Sequence, residues 1–125
     1  MKQGLIRWFL GVGLIALPLP AVLADSHELP PVPFEFGLGH SNFNQHCAAC
    51  HGKALEGSDN GPPLMHGYYN PSHHSDTAFY RAMTRGVPQH HWNFGDMPPV
   101  PGIKTNEAEA VVRFIRWAQK AMGLY

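Results

Sequence analysis

The sequence predicts a small all-α domain with long loops rich in proline and glycine. Two segments carry apolar residues at helical spacing, no segment shows a strong alternating strand pattern, and Pro- and Gly-rich stretches separate the helical segments. The chain has 125 residues, which corresponds to one domain. A domain of this size buries a modest fraction of its surface, so it often needs an additional stabilising element.

The first 24 residues are predicted to be a cleaved export signal. Lys2 and Arg7 precede an apolar run over residues 8–17, and Val22-Leu23-Ala24 offers a small-residue cleavage site. A spanning helix needs roughly 20 apolar residues, so an uncleaved membrane anchor is the less favoured alternative. The location predicted from this signal is the bacterial periplasm.

The mature chain is predicted to be slightly acidic. Cleavage after Ala24 leaves 101 residues (125 − 24), and loss of Lys2 and Arg7 leaves 7 basic side chains (9 − 2) against 9 acidic ones, a formal charge of −2. No basic patch and no run of like charge is present, so the composition gives no indication of nucleic-acid binding.

Residues 25–36 form a Pro-rich lead-in, and the domain proper is predicted over residues 37–125. Its first helix is expected over residues 38–51, although glycine, serine and asparagine make the helix propensity mediocre.

Cys47-Ala48-Ala49-Cys50-His51 is a C-x-x-C-H motif that contains both cysteines of the chain. Residues three apart lie on one helix face, so both thiols can reach the vinyl groups of one haem, with His51 placed to bind the iron. The motif indicates one covalently attached c-type haem. A dithiol redox motif, a disulfide and a zinc site are less favoured, because no strand–helix–strand pattern, adequate loop or second Cys pair accompanies the motif.

Gly61-Pro62-Pro63-Leu64 follows this motif after a turn-rich segment. A haem-ligating histidine needs an acceptor for its other ring nitrogen, and the carbonyl of Pro62 in a proline-stiffened loop is the candidate. Leu64 is expected to pack on the haem ring. The alternative is a plain turn without a role at the haem.

A second helix is predicted over residues 76–85, capped by Ser75 or Asp76 and stopped by Gly86. A long irregular loop over residues 87–103 follows, and a loop of this length in a small domain is usually functional.

Met97 in this loop is the predicted second axial ligand. It precedes Pro98 and Pro99, which restrict the backbone beside it. A thioether favours ferrous iron and raises the reduction potential. His90 or His91 as ligand, or an open site, are the alternatives.

The last helix is predicted to begin at a cap on Thr105 or Asn106, with Asn106 and Glu109 spaced as a capping box, and to end at Gly123. Its predicted apolar stripe comprises Val111, Phe114, Ile115, Ala118 and Met122, and its basic residues away from that stripe are Arg113, Arg116 and Lys120.

The chain contains nine histidines, two pairs of which, His73-His74 and His90-His91, are adjacent in sequence. One interpretation is a second metal such as copper. The other is a set of loop histidines that hydrogen-bond haem propionates or solvent.

Over residues 38–122 the sequence resembles the class I cytochromes c, through the C-x-x-C-H motif, Gly61-Pro62-Pro63-Leu64 and Met97-Pro98-Pro99 in this order. The resemblance implies three to four helices around the haem, with the first and last helices crossing and one haem edge exposed. It assigns Cys47 and Cys50 to the thioethers, His51 and Met97 to the iron, and the Pro62 carbonyl to His51.

The chain departs from that family in three respects. Its first helix is polar and contains glycine, which predicts a loose helix crossing. The ring of lysines around the haem edge in mitochondrial relatives is absent, so their docking rules do not carry over. The loop over residues 90–96 is longer and more aromatic than the minimal family loop, and it is expected to seal the methionine side or meet a partner.

The predicted function is that of a periplasmic one-electron carrier, not an enzyme. We expect a monomer that meets unidentified redox proteins, including transient contact with membrane-bound respiratory complexes. The alternatives are a haem-bearing subunit of a larger dehydrogenase or oxidase, and a haem enzyme or gas sensor with a displaceable sixth ligand.

Overall fold

The computed structural model describes residues 28–125, and these residues form four α-helices. They are α1 (Gly37–His46), α2 (Ala48–His51), α3 (Asp76–Arg85) and α4 (Thr105–Ala121). Strand-like pairing within residues 28–125 is limited to two isolated bridges, Ser58 with Gly61 and Val87 with Met97. The predicted all-α fold with long loops is therefore confirmed. The predicted export signal lies outside the described residues.

None of the helices in this part of the chain is long and apolar enough to cross a membrane. The longest is α4, with 17 residues.

Helices α1 and α4 cross at close range, so the expectation of a loose crossing is wrong. A Cβ on Gly39 would collide with the carbonyl oxygen of Ala110 and would lie 2.7 Å from Cβ of Phe114. Phe43 and Phe114 are fully buried beside this contact, with ring centroids 5.4 Å apart. The glycine that lowers helix propensity is thus the residue that lets the two backbones approach.

The predicted first helix is divided at Cys47 into α1 and α2. Cys47 has φ −120°, well away from the helical value of about −63°. The break is a kink, since the amide of Cys47 still donates to the Phe43 carbonyl (2.8 Å) and the amide of His51 donates to the Cys47 carbonyl (2.9 Å).

Helix α3 has the predicted bounds and ends at Gly86, whose φ of +76° suits glycine. Ser75 occupies its N-cap position without a side-chain hydrogen bond.

Helix α4 is capped differently from the prediction. Thr105 and Asn106 lie inside the helix, and Lys104 is the N-cap residue. The Lys104 amide donates to Oε2 of Glu107 at 3.0 Å, so a glutamate in the first turn supplies the acceptor that the cap needs.

The core forms where the apolar face of α4 meets α1 and α3. Its buried residues include Phe43 from α1, Phe79 and Met83 from α3, and Val111, Phe114, Ile115 and Ala118 from α4. The lead-in also contacts this core: Phe36 stacks on Trp117 with centroids 5.4 Å apart, and Leu29 and Val32 pack against it.

The sequence predicts that Arg116 points away from the core, and this is wrong: its side chain is only 12% exposed. It donates to Asp76 (2.6 Å), to the Tyr69 carbonyl (2.7 Å), to the side-chain oxygen of Gln119 (2.8 Å) and to the His74 carbonyl. Asp76 is largely exposed, and exposed ion pairs contribute about 0–1 kcal/mol. Hydrogen bonds from a charged group to carbonyls contribute about 1.5–3 kcal/mol. The larger contribution of Arg116 to stability therefore comes from its hydrogen bonds to the loop carbonyls of Tyr69 and His74.

Candidate functional site

A cavity of about 460 Å³ lies between the kinked segment at Cys47, helices α3 and α4, and the loop after α3. Most of its wall is apolar, and the residues from the helices include Phe43, Phe79, Met83, Val111 and Ile115. Cys47, His51, Pro62, Leu64 and Met97 line the same cavity. The structure therefore brings five of the six sequence-predicted site residues to one partly open cavity, whereas Cys50 lies outside its lining.

The two cysteines are not joined by a disulfide, and their exposure differs. Cys47 is buried and Cys50 is exposed. Burial raises the pKa of the Cys47 thiol to about 11, with a smaller contribution from the nearby Cys50. The Cys47 thiol is consequently protonated at neutral pH, and it faces an apolar cavity rather than solvent.

His51 is held in one orientation by the loop that follows it. Its Nδ1 lies 2.9 Å from the carbonyl oxygen of Pro62. A carbonyl can only accept, so Nδ1 carries the hydrogen and Nε2 keeps its lone pair. Burial lowers the pKa of His51, although the Pro62 bond opposes that shift. A neutral imidazole with a free Nε2 is the form that binds a metal ion.

The loop that carries Pro62 is fixed at both ends. The Gly57 amide donates to the His51 carbonyl (2.7 Å), and the Leu64 amide donates to the Leu55 carbonyl (2.8 Å). Gly61 packs so tightly that a Cβ there would lie 2.9 Å from Cys50.

Gln119, which sequence reasoning missed, anchors this loop to α4. Its Nε2 donates to the Leu64 carbonyl at 2.8 Å, and the residue has no exposed surface. A glutamine among the apolar positions of an amphipathic helix was the available signal, because a fully buried amide needs a specific partner.

Met97 is positioned by its backbone. Its amide and carbonyl both pair with Val87 at 2.9 Å, which closes the loop between them. A Cβ on Gly86 would lie 2.6 Å from the Met97 carbonyl oxygen, so the chain also packs closely beside this bridge. Met97 is half-buried and lies on the cavity wall, as His51 does.

Trp92 gives an independent indication of what the cavity holds. Its indole nitrogen is buried and makes no hydrogen bond of standard geometry in residues 28–125, although it lies near enough to the Tyr69 hydroxyl to oppose the rise that burial causes in the pKa of Tyr69. Buried indole N–H groups usually have a well-placed acceptor. Trp92 lines the cavity together with Arg81 and Arg85. Haem carries two propionate groups, and a carboxylate acceptor would satisfy this N–H. The residues present therefore fit a haem: apolar walls, a free imidazole nitrogen, and donors for carboxylates.

Comparison with known proteins agrees with this geometry. The family model described as Cytochrome c matches residues 38–119. No curated protein matches the chain. The matched region covers more than half of the sequence and includes the cysteines, His51, the Pro62 loop, Met97 and most of α4, so the chain belongs to the cytochrome c family.

Membership of this family defines the general chemistry of the domain. The domain binds a covalent c-type haem, and its function is haem-based electron transfer.

Proposed function

We propose that this protein is a periplasmic one-electron carrier whose haem is attached at Cys47 and Cys50 and bound axially by His51 and Met97. The observation that carries the proposal is that His51 and Met97 both line one largely apolar cavity, with Cys47 in its wall. When bound, the haem iron takes up and releases one electron.

Hydrogen bonds within the chain restrain both residues that we propose as axial ligands. The Pro62 carbonyl orients the His51 ring, and the bridge to Val87 fixes the backbone of Met97. Ligands that are already in place need little rearrangement when the charge of the site changes. The apolar wall excludes water and disfavours the more highly charged oxidation state, which raises the reduction potential.

The environments of the neighbouring histidines favour Met97 as the second ligand. His90 is exposed, whereas Met97 is half-buried in the cavity wall. Nε2 of His91 lies 3.2 Å from Nε2 of His73, so this ring would have to leave its partner to bind the haem iron. Two filled axial positions leave no place for a substrate, so we infer a carrier and not an enzyme.

Location and partners complete the proposal. Lys2, Arg7 and the apolar run after them support export to the periplasm. We propose a monomer that exchanges electrons with redox proteins, including transient contact with membrane-bound respiratory complexes. Intact mass of exported protein tests the processing: cleavage after Ala24 gives 101 residues (125 − 24) plus one haem.

The decisive test of axial ligation is Met97→Ala. The ferric variant is expected to lose the weak Met-to-iron charge-transfer band completely, and the ferrous variant to gain rapid carbon monoxide binding. Met65→Ala is the matched control, since Met65 packs against the core but does not line the cavity. Retention of the band in Met97→Ala would contradict the assignment, and rapid carbon monoxide binding by the unaltered protein would favour an enzyme or gas sensor.

A further inference from the structure

Three histidines from two separate segments converge beside the cavity. They are His73, His74 and His91, and one ring nitrogen from each lies within 4.8 Å of the other two. Nε2 of His73 and Nε2 of His91 are 3.2 Å apart, although 18 positions separate them in sequence. Of the two adjacent pairs in the sequence, the structure brings three members together and leaves His90 outside the group.

The spacing of these nitrogens matches a metal site. A tetrahedral zinc ion with Zn–N bonds of roughly 2.0–2.1 Å separates its ligand nitrogens by about 3.3 Å. The pair formed by His73 and His91 already has this separation. The remaining nitrogen, from His74, lies within 4.8 Å of the other two, so its approach to the same ion requires a shift of at most about 1.5 Å, the size of a side-chain adjustment.

His74 is held in the tautomer that a ligand needs. Its Nδ1 lies 2.5 Å from the Tyr68 carbonyl oxygen, which can only accept. The hydrogen therefore resides on Nδ1, and the lone pair of Nε2 is free. A backbone carbonyl on the second ring nitrogen is the usual support for a metal-binding histidine.

The other two histidines are also fixed by neighbouring groups. The amides of His73 and His74 both donate to the Asn70 carbonyl at 2.9 Å, which makes a defined turn before α3. The Tyr68 ring stacks on the His91 ring, with centroids 4.3 Å apart and planes 18° apart. Tyr68 thus positions one histidine through its carbonyl and another through its ring.

A hydrogen bond between His73 and His91 is the simpler explanation for their short separation. It accounts for two nitrogens and assigns no partner to Nε2 of the third ring. Arg116, whose guanidinium donates to the His74 carbonyl, is itself paired with Asp76 at 2.6 Å. The cluster therefore offers three imidazoles to a cation, and the positive charge beside His74 already has a counter-ion.

We propose that His73, His74 and His91 form a binding site for a copper(II) or zinc(II) ion beside the haem cavity, whose wall includes His74 and His91. Imidazole suits both metals, and copper(II) is expected to bind more tightly at a given nitrogen site. Three protein ligands leave one coordination position for water. The proposal goes beyond electron transfer, and it rests on the proposed function in one respect: His91 is available to this site because Met97, and not His91, ligates the haem.

The test uses haem-loaded protein purified without a histidine tag and dialysed against a chelator. Zinc chloride and copper sulfate are titrated separately by calorimetry, and metal analysis gives the ratio of added metal to haem iron. We expect one ion per haem. His73→Gln, which changes an exposed residue outside the haem cavity, is expected to weaken binding at least about tenfold. The copper EPR spectrum should show nitrogen hyperfine structure from fewer imidazoles in the same variant.

His90→Gln is the matched control, because His90 adjoins His91 and its Nδ1 lies 2.9 Å from the Pro88 carbonyl. It should bind zinc as the unaltered protein does. His91→Gln repeats the test from the second segment, and the haem absorption spectrum checks that each variant is folded. The proposal is overturned if the unaltered protein takes up no second metal, if His73→Gln and His91→Gln bind normally, or if His90→Gln loses as much affinity.

Discussion

The crossing of α1 and α4 is held by buried apolar contact, whereas the loop over residues 86–97 is held by a few hydrogen bonds. At the crossing, Gly39 lies against Ala110 and the rings of Phe43 and Phe114 are fully buried. In the loop, pairing of Val87 with Met97 is the main connection, and most of the residues between them are exposed.

The two regions should therefore respond differently to substitution. Damage to a packed crossing spreads through the core, because interiors are close-packed and adjust poorly. Damage to a loop held by hydrogen bonds stays local, so it changes the position of Met97 before it changes the fold. Substitutions at the crossing of α1 and α4 should therefore lower the stability of the whole domain, whereas substitutions in the loop over residues 86–97 should first displace Met97.

Gly39→Ala is expected to have the largest effect. Its Cβ would collide with the Ala110 carbonyl oxygen, so the two helix backbones must separate. Overpacking of this kind costs about 3 kcal/mol of the free energy of unfolding. Denaturant unfolding of the haem-loaded protein measures the loss.

Gly37→Ala is the matched control within α1, since a Cβ at this position would have no other atom within 4 Å. Alanine favours helix over glycine by about 1 kcal/mol, so this variant should be unchanged or slightly more stable. Equal destabilisation in both variants would refute the close crossing.

Gly86→Ala is expected to act next most strongly, and on the methionine side. Its φ is +76°, and its Cβ would lie 2.6 Å from the Met97 carbonyl oxygen. Strain and collision together should cost about 2 kcal/mol. Because the collision displaces the Met97 backbone, the Met-to-iron band should weaken even in folded protein.

Gly95→Ala separates strain from collision. Gly95 has φ +87° and nothing within 4 Å of a Cβ, so strain alone should cost about 1 kcal/mol and leave the band intact. Loss of the band in Gly95→Ala would show that the whole loop, and not the contact at Gly86, sets the ligand position.

Gln119→Met tests a polar contact inside the packed region. The variant keeps the length of the side chain but leaves the Leu64 carbonyl without its donor at 2.8 Å and removes one of the acceptors of Arg116, also at 2.8 Å. The expected loss is about 1.5 kcal/mol in the free energy of unfolding. Gln45→Met, at an exposed position of α1, is the control and should be close to neutral.

Asp96→Ala should have the smallest effect. The carboxylate accepts from the Gln89 amide at 2.8 Å on an exposed surface, so its loss should cost about 0.5 kcal/mol. Hydrogen exchange at the Gln89 amide should accelerate about twofold, with no change in global unfolding. Global destabilisation comparable to that of Gly39→Ala would erase the distinction between the two regions.

How well a feature could be predicted from the sequence depends on how far apart in the chain its interacting residues lie. The C-x-x-C-H motif and the apolar stripe of α4 are local patterns, and the sequence predicted the fold class and the bounds of α3 from such patterns. Gly39 was misjudged because propensity describes an isolated helix, while its role depends on α4, far along the chain.

Two polar residues of α4 were the hardest to interpret. Arg116 lies off the apolar stripe in a helical projection and Gln119 lies among the apolar positions, yet the partners of both include carbonyls in distant loops. The histidine cluster has the same origin: the sequence displays two pairs, and only the folded chain brings His91 to His73.

The guanidinium of Arg116 has a consequence for the order of assembly. It donates hydrogen bonds to the carbonyls of Tyr69 and His74, which lie 47 and 42 positions earlier in the chain. Without α4 in place the turn between α2 and α3 lacks these two hydrogen bonds, so we expect that turn and the final helix to become ordered together.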